Sequence, residues 1–311
     1  MSMPGMELLR GAIDSHVHCC PHINGRTVTA FEAVRAAAEA GLGGLGLMDV
    51  FANSSGLAAL AMRELGDLGI EVFGGIILEP YVGGLSTRAV ETALDMGYGP
   101  GTGARFVSLP CHHTRFVAQS EGRSPAYVET CLAIPPKGAL PDPLGEIMER
   151  VAERDVVFNT GHLTGEECVR VVEEAAKRGV RRILCPASYF TTDEAREVVG
   201  LGAFVEFAFF VMSHATQVGT TMIDSEKHCF SPVTLDSVAE KIRAVGPEHT
   251  VVSSDSGSFI LPPPVEALRE WLLMIESEGF SRDDIHRMVA ENPATLFKVG
   301  AMSAEPLPSA G

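Results

Sequence analysis

The chain has 311 residues, of which 46% are hydrophobic and 21% charged, so it can build a sizeable core and is not a disordered polymer. Its formal charge of -16 opposes binding to nucleic acid or to an anionic membrane surface, because the phosphate-contact term would be repulsive over most of the surface. Small molecules are the expected partners, and homo-oligomerisation is left open.

The opening MSMPGMELLRGAIDSHVH lacks a basic segment followed by a long apolar run, and no stretch reaches the roughly 18 apolar residues of a membrane span, so a cytoplasmic protein is expected. Seven cysteines, Cys19, Cys20, Cys111, Cys131, Cys168, Cys185 and Cys229, contain no Cys-x-x-Cys pair, which predicts reduced thiols.

Eight short apolar runs rich in β-branched residues follow one another, each ahead of a segment with helical spacing. They lie near Ala12 to His18, Gly43 to Val50, Glu71 to Glu79, Ala104 to Pro110, Val156 to His162, Arg181 to Pro186, Ala203 to Phe209 and Thr250 to Asp255. Repeated βα units of this kind predict an α/β chain, a (β/α)8 TIM-type barrel forming one domain over 1–311, which commonly needs about 250 residues or more. The first helix, TAFEAVRAAAEAG, is filled with strong helix formers and ends at Gly41, where a left-handed cap belongs. Thr164 with Glu167 and Thr191 with Glu194 have the spacing of capping boxes.

One connection breaks the rhythm. Residues 114–143, after the fourth strand, are rich in proline and glycine and contain a strand-like stretch, Tyr127 to Ile134. An insertion there fits either a lid over the barrel mouth or a solvated excursion without a part in chemistry. The last residues, 302–311, read as a frayed tail.

His16 and His18 stand two apart at the end of the first strand, and the period of two in a strand points both imidazoles to one side. Such a pair can grip a metal ion; it can also lie in a loop or hydrogen-bond within a core. Barrel sites form at the carboxyl ends of the strands, and His162, Asp255, and His112 with His113 occupy such ends.

With IDSHVH in the first strand, NTGHLTGEE at the fifth, VVSSDSG at the eighth and the closing ENPATLF, the sequence resembles the amidohydrolase superfamily of metal-dependent hydrolases, in particular an uncharacterised branch of it. The resemblance runs over nearly the whole chain. It implies that His16, His18, His162 and Asp255 approach a divalent metal, with zinc the expected ion. It also implies a metal-dependent hydrolase of a small organic substrate (an amide, a lactone or a related ester), with Asp255 as the base that takes the proton of a metal-activated water.

Two departures from that pattern matter. The fourth strand ends in Cys111-His112-His113 rather than a bridging lysine or glutamate, so that Glu79 is the remaining candidate bridge, or else a carboxylate capping the next segment. The sixth strand, RRILCPASYF, lacks the usual histidine near Ala187. One ion is therefore expected rather than two, and His112, His113, Cys185 or His214 could fill the gap. Arg26, Arg105, Arg115 and Lys137 are candidates to hold a substrate carboxylate, Arg26 foremost, and Glu206 inside the apolar FVEFAFF must be paired, protonated or bound to something. The alternatives are a metal-dependent decarboxylase of the same superfamily and a barrel that binds a metal or ligand without turning it over.

Overall fold

A computed structural model of the chain describes residues 3–213 and 231–300; His214, Cys229 and the tail at 302–311 lie outside the described residues. Each of the eight apolar runs contains a strand: β1 (Ile13–Val17), β2 (Gly44–Leu47), β3 (Glu71–Ile77), β4 (Phe106–Ser108), β5 (Val157–Asn159), β6 (Ile183–Pro186), β7 (Phe204–Ala208) and β8 (Thr250–Ser253). They pair in parallel in sequence order from β1 to β8. The ring closes beyond the last strand, where Val17 bridges to Ser256 in parallel and the His18 amide donates to the Ser256 carbonyl at 2.8 Å. Asp14 reinforces that seam, since its Oδ1 accepts from the Ser254 amide at 2.9 Å.

The helices are α1 (Ala30–Glu39), α2 (Ser55–Leu65), α3 (Thr87–Asp95), α4 (Arg115–Ser120), α5 (Pro125–Val128), α6 (Leu144–Arg154), α7 (Gly165–Lys177), α8 (Thr192–Gly200), α9 (Leu235–Val245), α10 (Pro264–Ser277), α11 (Arg282–His286) and α12 (Asn292–Phe297). The capping boxes read from Thr164 and Thr191 are both formed, and Thr29 with Glu32 makes a third at the start of α1. These caps satisfy amides that the first turn leaves without helical partners.

Two apolar layers result from the period of two along the strands. Phe73 and Ile77 of β3, Phe106 of β4, Val157 of β5, Leu184 of β6 and Val251 of β8 pack inside the barrel. Phe297 of α12 plugs its lower end and stacks on Phe73 with ring centroids 4.8 Å apart. Alternate strand residues such as Val107, Phe158, Val205 and Val252 face the helices instead. This arrangement fills the barrel interior with apolar side chains and leaves the carboxyl ends of the strands open to polar groups such as His16 and Glu206.

The stretch from Tyr127 to Ile134 is not a strand. Ser124 caps a short helix, α5, whose first position is Pro125, and among the described residues the stretch pairs through an isolated bridge between Thr114 and Leu132. The neighbouring β4 is already paired with β3 and β5, so no open edge is offered to another strand. Among the described residues, no helix is long and apolar enough to cross a membrane.

Candidate metal centre

The site grows out of the β1 to β8 seam. Strand register breaks between Asp14 and Val17, the stretch that holds His16, and the rings of His16 and His18 lie 5.2 Å apart. Opposite them, Asp255 follows β8 with φ 46, a left-handed conformation that aspartate tolerates better than most residues. It caps no helix, because the next one begins at Pro264. Its Oδ1 lies 3.3 Å from Nε2 of His16 and 3.0 Å from Nε2 of His18. The close approach of the strands depends on Gly257: a Cβ there would stand 1.7 Å from the His18 carbonyl oxygen.

One ligand atom from each of His16, His18 and Asp255 lies within 4.8 Å of the others, a group that could hold a metal ion. The donors fit one. Burial lowers the pKa of His18 and so keeps its imidazole neutral, as a metal ligand must be. Burial would raise Asp255, but His16 and His18 outweigh it and hold the carboxylate ionised. His16 is the exception: burial works against its charge, yet Asp255 and Glu206 lift it to about 9, so a metal would displace a proton there. Two imidazole nitrogens with a carboxylate oxygen suit zinc, manganese or iron.

Glu206 supplies the support behind His16. Its Oε1 lies 3.4 Å from His16 Nδ1 and accepts from Ser253 Oγ at 2.7 Å. The buried carboxylate of FVEFAFF is thus turned inward at the base of the site. Asp14 is equally buried, and burial pushes its pKa up to about 6.

His162 stands outside the close group of three but lines the same cavity as His16, Glu206 and Asp255. Burial lowers its pKa, which keeps this ring neutral too. Gly161 before it has φ 61, and a Cβ there would stand 2.3 Å from the Pro110 carbonyl oxygen. The rest of the cavity wall comes from Phe116 on α4, Leu163, the β6 end through Pro186, Ser188, Tyr189 and Phe190, and Ala208, Phe210 and Val211 after β7. The place expected for a sixth-strand histidine holds the fully buried Ala187.

Several sequence candidates lie elsewhere. The fully buried Glu79 carboxylate accepts from the amides of Cys111 at 2.7 Å, His112 at 2.6 Å and His113 at 3.2 Å, which anchors the turn after β4, and it lies outside the close group of His16, His18 and Asp255. His113 contacts Tyr127 and Thr130, and neither His112 nor His113 lines the cavity. Cys185 faces the helices, shares a side-chain hydrogen bond with Thr160, is pushed by burial up to about 12 and does not line the cavity. Arg105 sits at the opposite end of the barrel, where it pairs with Glu71 and donates to the carbonyls of Phe297 and Lys298. Arg115 and Lys137 are exposed and outside the cavity. Arg26 stays near the centre, with Nη2 2.9 Å from Nε2 of His22. Sequence reading missed His22 and Asp49 beside it, and the aromatic wall; only the Asp of IDSHVH carried a signal, by sharing the motif with the two histidines.

Solved structures share this fold. An amidohydrolase from Pseudomonas aeruginosa aligns with a TM-score of 0.59 at 10% identity, over 96% of this chain and 99% of that one. A dihydroorotase aligns with 0.57 at 12% identity, over 93% and 69%. A mutant PTE-like lactonase from Deinococcus radiodurans aligns with 0.56 at 16% identity, over 86% and 85%. No curated protein matches the chain. The pattern of one family matches residues 11–206, well over half of the length and including His16, His18, His162 and Glu206, and the chain belongs to that family, the family of unknown function DUF6282.

Proposed function

We propose that this chain hydrolyses a small organic substrate at one divalent cation, zinc by preference, breaking an amide, lactone or related ester bond. The observation that carries the reading is the convergence of His16 Nε2, His18 Nε2 and Asp255 Oδ1 at the carboxyl end of a barrel, beside a cavity with an apolar wall. Likeness in fold to an amidohydrolase, a dihydroorotase and a lactonase supports the choice of bond.

In this reading His16, His18 and Asp255 hold the cation and His162, which shares the cavity, completes the set. When bound, the ion supplies Lewis acidity that polarises a carbonyl and acidifies water. Asp255, kept ionised beside the histidines, takes a proton as water oxygen bonds to the carbonyl carbon. It returns that proton to the leaving nitrogen or oxygen as the old bond breaks. Glu206 holds the His16 ring with Nε2 toward the centre.

The test is a proton-release and product assay of zinc- and manganese-loaded protein on panels of lactones, aryl esters and N-acyl amides. Turnover that disappears on removal of the metal supports the reading. Carbon dioxide release from a carboxylated substrate in place of hydrolysis would replace it with decarboxylation, and inertness of a fully loaded protein towards every panel would overturn it.

A further inference from the structure

Arg26 is a largely desolvated cation with few partners. Its guanidinium makes one side-chain hydrogen bond among the described residues, Nη2 to His22 Nε2, and its buried Nε has none. No carboxylate of the described residues forms an ion pair with it; Asp49 and Asp255 act on it only through space. His22 does not neutralise it: burial, Arg26 and His18 together push that imidazole down to about 3, while Nδ1 accepts from the Asn24 amide at 2.9 Å. Guanidinium keeps its charge at any ordinary pH, and a buried charge without a counter-ion is costly.

The opposite side of the centre has the reverse character. Phe116, Leu163, Tyr189, Phe190, Phe210 and Val211 form the apolar wall, and among the described residues no lysine or arginine lines that cavity. Those residues come from α4 and the ends of β5, β6 and β7, whereas Arg26, His22 and Asp49 follow β1 and β2. His16 and Asp255 face the cavity, and His18 feels the charge of Arg26. Arg26 and the apolar wall therefore belong to different strand ends, with the charge of Arg26 felt at His18 and the wall beside His16 and Asp255.

We infer that the ligand is an amphiphilic carboxylate, whose anionic end meets Arg26 and whose aromatic or aliphatic end fills the β5 to β7 cavity, with the hydrolysable bond between them. This rests on the hydrolase reading for the bond that breaks, but the recognition itself is read by binding. Arginine suits a carboxylate because its planar fork matches the two oxygens.

The experiment is isothermal titration calorimetry of the zinc-loaded protein with three probes lacking a scissile bond: 4-phenylbutyrate, its neutral amide and butyrate. Phenylbutyrate is expected to bind at least about tenfold more tightly than either of the others, the range of one charge-assisted hydrogen bond. Arg26→Gln is expected to reduce phenylbutyrate to the level of the amide with the metal content unchanged, and Arg26→Lys to retain part of the preference. Equal binding of acid and amide, equal binding of phenylbutyrate and butyrate, or no binding overturns the inference. So does full affinity in Arg26→Gln, which would put the carboxylate elsewhere. Should Arg26→Gln fail to fold, the three-probe comparison on the unaltered protein decides. Selective binding without turnover of any substrate would remove the hydrolase reading and leave the ligand class standing.

Discussion

Oε1 of Glu206 lies 3.4 Å from Nδ1 of His16, reaching from β7 across the barrel to β1. Since Ser253 Oγ donates to the same oxygen at 2.7 Å, the carboxylate is fixed before any ligand arrives. A carboxylate behind a metal-binding histidine sets its tautomer and its basicity. Glu206→Gln is therefore expected to weaken zinc affinity by about 10- to 100-fold while the fold persists. Competition against a chromogenic chelator reads the affinity and circular dichroism the fold; unchanged affinity would leave Glu206 a structural group.

Asp255 has a role in turnover as well as in holding the ion. Asp255→Asn keeps the shape and loses the base, and the expected fall in kcat is on the order of 100-fold or more in protein reloaded to full metal content. Full turnover of that variant would assign the proton transfer to another group.

At Gly257 the backbone passes so close to His18 that Ala cannot be accommodated: its Cβ would stand 1.7 Å from a backbone oxygen, at φ 132. Gly257→Ala is expected to cost on the order of 3 kcal/mol in urea denaturation and to reduce metal binding with it, because the displaced strand end carries His18. A stable variant with full metal content would show that the seam can relax.

Asp155 closes α6 in the left-handed conformation at φ 50 and meets Arg181, Arg182 and Lys298. Burial pushes its pKa up, but hydrogen bonds from Lys298 and Arg182 prevail and lower it to about 2. A carboxyl with a depressed folded-state pKa stabilises the protein above its ordinary value of 3.8, and that contribution is lost as pH falls from there towards about 2. Asn tolerates the same backbone, so Asp155→Asn isolates the charge. The variant is expected to be less stable by about 1 kcal/mol at pH 7, with the gap narrowing below pH 4. Urea midpoints across that range check the sign; a constant gap would remove charge as the cause.

The βα rhythm made the barrel readable because each strand is buried on both faces and must be apolar, whereas each helix announces its start with a cap such as Thr164 with Glu167. His16, His18 and Asp255 could be brought together on paper because barrel strands all present their ends to one face. Tyr127 to Ile134 misled because β propensity there has no strand edge to satisfy, and Ser124 with Pro125 starts a helix instead. Cys185 and Arg105 misled for another reason: position along the chain says near which strand a side chain lies, but not which face or end it reaches. Glu79 shows the same limit, since it accepts from three backbone amides over 30 residues away, which leave no mark in sequence. Arg26 stayed near the centre, yet its neighbour His22 gave no signal of its own.

A single cation held by His16, His18 and Asp255 is what the proposed chemistry depends on. Metal content per chain, measured by inductively coupled plasma mass spectrometry on protein purified without chelator, tests it beside a His16→Ala, His18→Ala double variant. About one equivalent is expected in the unaltered protein and close to none in the variant. Retention of the ion by a folded variant, or the failure of the unaltered protein to take up zinc or manganese when offered, would contradict it.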